Sequence, residues 1–128
     1  MSKNLFALLV LGSVITLLLV ACATTSADTS SAPNQVHMNT TNFVSSSITI
    51  KKGERITLID DTLIPHTIAS GTWNNGTAKP TREPGAPEVK DVQINGSSQD
   101  TIGPFTTTGT FHLYCTIHSG MNLTVVVQ

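Results

Sequence analysis

From residue 35 onward the chain alternates apolar and polar positions with a period of two, in short runs separated by turn residues. Ser47-Ile48-Thr49-Ile50 is one run and Arg55-Ile56-Thr57-Leu58-Ile59 is another. Lys51-Lys52-Gly53-Glu54 between them reads as the turn of a hairpin. His66-Thr67-Ile68-Ala69 predicts a further short strand. Residues 71–91 hold Gly71, Asn74, Asn75 and Gly76 together with Pro80, Pro84 and Pro87, and read as a long loop with little regular structure. A turn is predicted over 105–109. The firmest strands are 110–115 and 122–128. No helical period of useful length follows Cys22. Short strands joined by turns predict an all-β antiparallel sandwich or barrel.

The N-terminal pattern is of another kind. Lys3 precedes an uncharged apolar stretch over residues 5–20, which ends Leu19-Val20-Ala21-Cys22. A small residue before a cysteine resembles a bacterial lipoprotein signal, cleaved before Cys22 and lipidated on its sulfur. The stretch is also close to the ~20 residues that span a bilayer, so an uncleaved signal anchor is the competing reading. Either one tethers the rest outside the cytoplasm. Residues 23–34 are small and polar, too poor in apolar surface to fold, and predict a flexible tether. The expected organisation is therefore a signal peptide over 1–21, a tether over 22–34 and one small domain over 35–128.

Charge and cysteine count narrow the function. Seven Lys and Arg against eight Asp and Glu leave a formal net charge of −1, with no basic face for nucleic acid. With Cys22 lipidated, Cys115 is the lone thiol of an exported domain and has no intramolecular disulfide partner. That leaves a free thiol, an intermolecular bridge or a metal ligand. Its neighbours decide for the metal. Tyr114-Cys115-Thr116-Ile117-His118-Ser119-Gly120-Met121 presents thiolate, imidazole and thioether at spacing C-x-x-H-x-x-M. Soft and borderline donors of this kind select copper, and two His with one Cys and a weak axial Met are the set of a blue-copper site.

Each residue has a plainer reading: a buried Cys is often a small hydrophobe, and a Met beside a strand is often core. The conjunction is stronger. Strand parity puts Phe111, Leu113 and Cys115 on one face, so the thiol points inward with the core, and puts His112 and Tyr114 on the other. His112 is thereby excluded as a ligand and read as a solvent-side residue. His37 is read as a surface or loop histidine. His66, in Leu63-Ile64-Pro65-His66-Thr67, supplies the second imidazole if its strand end lies at the same pole, with Pro65 stiffening the approach.

These runs resemble the cupredoxins, the blue copper family of plastocyanin, pseudoazurin and amicyanin, over residues 35–128. The carriers of the resemblance are Ile48-Thr49-Ile50-Lys51-Lys52-Gly53-Glu54, the first-histidine motif Ile64-Pro65-His66-Thr67-Ile68, and the ligand loop from Gly109 to Met121. The resemblance implies a Greek-key β-sandwich and a single type 1 copper held by His66, Cys115, His118 and Met121. Its function would be electron transfer without enzymatic turnover. Met121, three residues after His118, matches the short amicyanin loop. The plastocyanin position is Leu123, which has no donor atom.

The family also implies that His118 is the electron port, rimmed by Ile64, Pro65, Ile117 and Met121. A redox protein (cytochrome, oxidase or dehydrogenase) would dock there on a monomer. Tyr114 resembles the tyrosine of a second partner surface. Two positions depart from the family pattern. Asp60 stands where many members carry Asn, with Asp61 after it; a buried anion there lowers the reduction potential, whereas a solvated turn has no such effect. Ile117 stands where Pro is frequent and keeps an N–H. A copper-delivery or buffering protein is the alternative function, but it would expose Met-rich or Cys-x-x-Cys ligands, which the chain lacks.

Overall fold

The computed structural model describes residues 33–128. The signal, Cys22 and all but the end of the tether lie outside them. The described chain forms nine strands: β1 (Gln35–Met38), β2 (Ser47–Ile50), β3 (Ile56–Asp60), β4 (His66–Asn74), β5 (Thr77–Pro80), β6 (Val92–Ile94), β7 (Gln99–Ile102), β8 (Gly109–Cys115) and β9 (Asn122–Val127). One sheet has the order β1-β3-β7. The other runs β2-β9-β8-β4-β5, with β6 also paired to β4. This is the all-β sandwich that the patterning anticipates.

Period-two alternation builds the interior. In β9, Leu123, Val125 and Val127 are buried while Asn122, Thr124 and Val126 are only partly covered. In β3, Ile56, Leu58 and Asp60 point inward. Phe111, Leu113 and Cys115 of β8 do the same, as strand parity requires. Met38, Phe105 and Ile68 fill the space between these faces. Burying each large side chain contributes about 1.5–3 kcal/mol before ordering costs.

β2 and β3 do not form a hairpin. β2 pairs in parallel with β9, whereas β3 pairs with β1 and β7 in the other sheet. The Gly53 turn, with φ of 90°, is therefore a crossing between sheets. Local sequence shows a turn of suitable length, but strand choice follows from which face each strand buries.

Residues 71–91 are also not one long loop. β4 continues to Asn74, turns through Asn75 and Gly76 at positive φ, and returns as β5. Asn-Gly is the favoured two-residue hairpin turn because both positions need φ > 0. Gly71 marks the point where β4 leaves β8 and β6 to pair with β5. Its φ is 134°, and a Cβ there would lie 2.9 Å from the Pro80 Cα. Only residues 81–91 are irregular.

His37 belongs to β1 and is not in a loop. It is partly exposed, and its Nδ1 lies 2.9 Å from Asp61 Oδ2. Tyr114 lies on the outer face of its sheet but is buried, not solvent-facing. Trp73 packs against it edge-on at 6.0 Å, and residues 80–82 and 88–91 wall a 430 Å³ cleft over it. His112 is half-covered as well, its Nδ1 2.6 Å from Glu83 Oε1.

Candidate metal centre

Strand direction brings the ligand candidates to one pole. β4 starts at His66 and β8 ends at Cys115, and the two are antiparallel with Ile68 opposite Cys115. The turn over 116–121 then hands the chain to β9. Two backbone bonds fold this turn: Met121 N–H donates to the His118 carbonyl at 3.2 Å, and Cys115 N–H to the Met121 carbonyl at 3.0 Å. Gly120 supplies a φ of 83°. Thr116 N–H donates to the Thr67 carbonyl at 2.8 Å, which fastens the turn to β4.

The loop before His66 is held just as closely. Asp60 Oδ1 accepts the Thr62 N–H and the Thr62 hydroxyl, both at 2.8 Å. Thr62 Oγ1 accepts the Ile64 N–H at 3.1 Å, and the Thr62 carbonyl accepts the Ser97 N–H at 2.6 Å. Short polar side chains that bond to nearby backbone fix such turns. Pro65 then delivers His66 as the first residue of β4.

Three donor atoms converge. The Nδ1 atoms of His66 and His118 are 3.2 Å apart, and Cys115 Sγ lies 3.3 Å from His118 Nδ1. All three ligand atoms fall within 4.8 Å of one another. His66, Cys115 and Met121 are buried, and His118 is partly exposed. Cys115 is a free thiol. Burial, with His118 adding to it, pushes the His66 pKa below its ordinary value; Asp60 opposes the shift. The Asn39 backbone also favours the His66 proton, but from outside hydrogen-bonding geometry, and Nε2 has no partner among the described residues. His66 is thus neutral near pH 7, the form that ligates metal. One thiolate and two imidazoles facing a common point, with a buried thioether at the end of the turn, form a soft donor set without a carboxylate in it. It fits one type 1 copper ion.

Around the pole, Leu63, Ile64 and Ile117 are exposed, with Leu63 at 81%. Sequence reasoning missed two further supports. Trp73 Nε1 donates to the Cys115 carbonyl at 2.8 Å. Asn122 grips the Trp73 backbone from both sides, accepting its N–H at 2.7 Å and donating to its carbonyl at 3.1 Å. Nothing in a single sequence marks Asn122 for this, because the contact spans three strands. Asp60 is different. Its parity with Ile56 and Leu58 already points it inward, and that signal was available.

Comparison with known proteins agrees with this geometry. The profile of copper binding proteins of the plastocyanin/azurin family matches residues 31–128. A plastocyanin from Ulva prolifera is 32% identical over 88 residues, which span 67% of this chain and 86% of the relative. Amicyanin from Paracoccus versutus shares the fold with a TM-score of 0.55 at 19% identity, over 73% of this chain and 79% of that one. An oxidised amicyanin variant gives a TM-score of 0.55 at 19% identity, over 80% and 88% of the two chains.

Proposed function

Since the chain belongs to the plastocyanin/azurin family of copper-binding proteins, we propose that it is a one-electron carrier and not an enzyme, with His66, Cys115, His118 and Met121 as its copper ligands. The carrying observation is the convergence of the two Nδ1 atoms and the Cys115 thiol within 4.8 Å on a buried frame. Bound copper supplies the one-electron chemistry. The chain's own part is to hold the donors still. The bonds inside the 116–121 turn, the Thr116–Thr67 bond and the Asp60–Thr62 turn leave His66, Cys115 and His118 little room to move. A frame that does not rearrange between redox states lowers the cost of each transfer.

His118 is the port. It is the partly exposed ligand, set among exposed Leu63, Ile64 and Ile117. An apolar rim of this kind suits brief docking by a redox protein, with an interface below ~1,200 Å². Copper delivery is the weaker reading, because His66, Cys115 and Met121 are all buried and poorly placed to hand metal on.

Before the domain, Ala21-Cys22 marks a lipoprotein cleavage site, with residues 22–34 as the tether to a domain over 35–128. The carrier then works outside the cytoplasm at a membrane surface. Stable anchoring takes more than one lipid chain, each contributing ~0.8 kcal/mol per buried CH₂. Cys22→Ala is expected to release the protein from membranes or leave it unprocessed; normal processing with membrane retention would count against the anchor.

The copper assignment is tested by adding Cu(II) to the purified domain and recording its visible spectrum. A strong thiolate-to-copper band is expected, and Cys115→Ser should abolish it while the sandwich stays folded. A coloured Cys115→Ser variant would overturn the assignment.

A further inference from the structure

Asp60 ends β3 on the inward face, is 2% exposed, and belongs to no ion pair among the described residues. Its Oδ1 carries both bonds from Thr62. Its Oδ2 is buried and has no hydrogen-bond partner among the described residues. Burying half a carboxylate unsatisfied is unfavourable, and a chain does not need it to make this turn. An Asn side chain would present the same Oδ1 to the same two donors. The turn therefore explains the acceptor and leaves the charge unexplained.

The surroundings suggest what the charge acts on. Asp60 lies beside Met38 in the β1–β3 ladder, and the Thr62–Ile64–Pro65 segment it fastens leads directly to His66. Nearby Asp61 is turned outward to His37, with both carboxylate oxygens within 3.0 Å of its Nδ1. Asp60 is left buried at the end of β3, where the connection to His66 begins. Its N–H donates to the Ser98 carbonyl at 2.9 Å, and Ser97 N–H to the Thr62 carbonyl at 2.6 Å, which ties Asp60 to the 95–98 connection that follows Ile94, the strand partner of His66.

We propose that the Asp60 carboxylate is a fixed buried negative charge that biases the His66–Cys115–His118 centre towards a divalent metal ion. The charge count gives the direction. Two neutral imidazoles, one thiolate and Asp60 total −2, which balances a divalent cation and leaves a monovalent one with an excess of −1. In a poorly solvated interior that excess is costly, so Cu(II) gains over Cu(I) and the reduction potential falls. Among the described residues Asp60 makes no side-chain hydrogen bond to a ligand atom. It is a positioning residue for the loop and a charge partner for the centre. The proposal rests on the copper assignment above.

The test is Asp60→Asn, which keeps the Oδ1 acceptor and removes the charge. In the copper-loaded protein, the ratio of Cu(II) to Cu(I) affinities should fall at least tenfold, read as a rise in potential of ~59 mV for each tenfold. In copper-free protein, Co(II) affinity should fall by about twice as many powers of ten as Cu(I) affinity, because a unit charge acts twice as strongly on a divalent ion. An Asn variant with unaltered potential and Co(II) affinity overturns the proposal, as does an equal loss of affinity for both oxidation states. If that variant does not fold, Thr62→Val takes its place. It removes one donor to Asp60 but keeps the charge, so the potential should hold or fall, and a rise overturns the proposal. Failure of the copper assignment itself is distinguishable, because the unmutated protein would then show no thiolate band.

Discussion

His66 must be neutral to offer Nδ1 to a metal, and burial secures this by pushing its pKa below the ordinary value of ~6.5. The linkage has a definite sign. The unfolded chain takes up this proton at a higher pH than the folded one. The contribution to stability is therefore complete above ~6.5 and is lost as pH falls through the lower folded value. Denaturation of copper-free protein between pH 7.5 and 5 should show declining stability, and His66→Gln should remove up to ~1.4 kcal/mol per pH unit of that slope. An unchanged slope would show that His66 does not titrate in this range. Met121 is tested differently. It is buried, and its carbonyl is bonded to Cys115 N–H, so it stays at the site whatever its sulfur does. Met121→Leu should keep the thiolate band and raise the potential, because a weak donor that favours Cu(II) is gone. If neither spectrum nor potential moves, Met121 is packing alone.

At the scale of elements, β8, the 116–121 turn and β9 form one unit braced from β4. The brace is Trp73, whose indole reaches the Cys115 carbonyl and whose backbone is gripped by Asn122. Asn122→Ala removes both Asn122 bonds and leaves the part-buried Trp73 amide short of an acceptor. A loss of ~1–3 kcal/mol is expected in chemical denaturation. A loss below ~0.5 kcal/mol would mean that water replaces Asn122 freely. Much of this unit was legible beforehand. Period-two parity placed Phe111, Leu113 and Cys115 inward, and the C-x-x-H-x-x-M spacing placed the ligand turn between two strands. What parity cannot supply is partnership. β2 and β3 flank a good turn, yet they go to different sheets, because sheet membership depends on which distant strand covers each edge. The β4–β5 hairpin was a different failure. Asn75-Gly76 is a strong turn signal, and Pro80 does not oppose the hairpin because it sits at the end of β5.

Across the whole molecule, charge is partitioned by pole. Strand directions put the connections over 39–46, 61–65, 95–98 and 116–121 together around His118. Apart from His118 itself, the only ionisable side chain in them is Asp61, and it is paired with His37 on the surface. Lys51, Lys52, Glu54 and Arg55 cluster at the far end, in the crossing between β2 and β3. Among the described residues the remaining charges are the buried Asp60 and those on residues 79–100. A face of this composition offers a partner Leu63, Ile64 and Ile117 and almost no field. Electrostatic steering raises association rates steeply and is lost with salt, so its absence leaves a recognisable signature. Electron transfer with a docking redox protein should vary little between low and ~0.5 M salt. Ile117→Lys, which sets a charge in the apolar rim three residues before Gly120, should slow transfer about tenfold, equivalent to ~1.4 kcal/mol of docking. The copper spectrum of that variant should not change, because the Ile117 side chain is exposed. Rapid-mixing measurements of the bimolecular rate across a salt series decide the matter. A rate that falls steeply with salt would move the docking surface away from this pole, towards the charged flank around Arg82, Glu88 and Lys90 where the cleft opens over Tyr114.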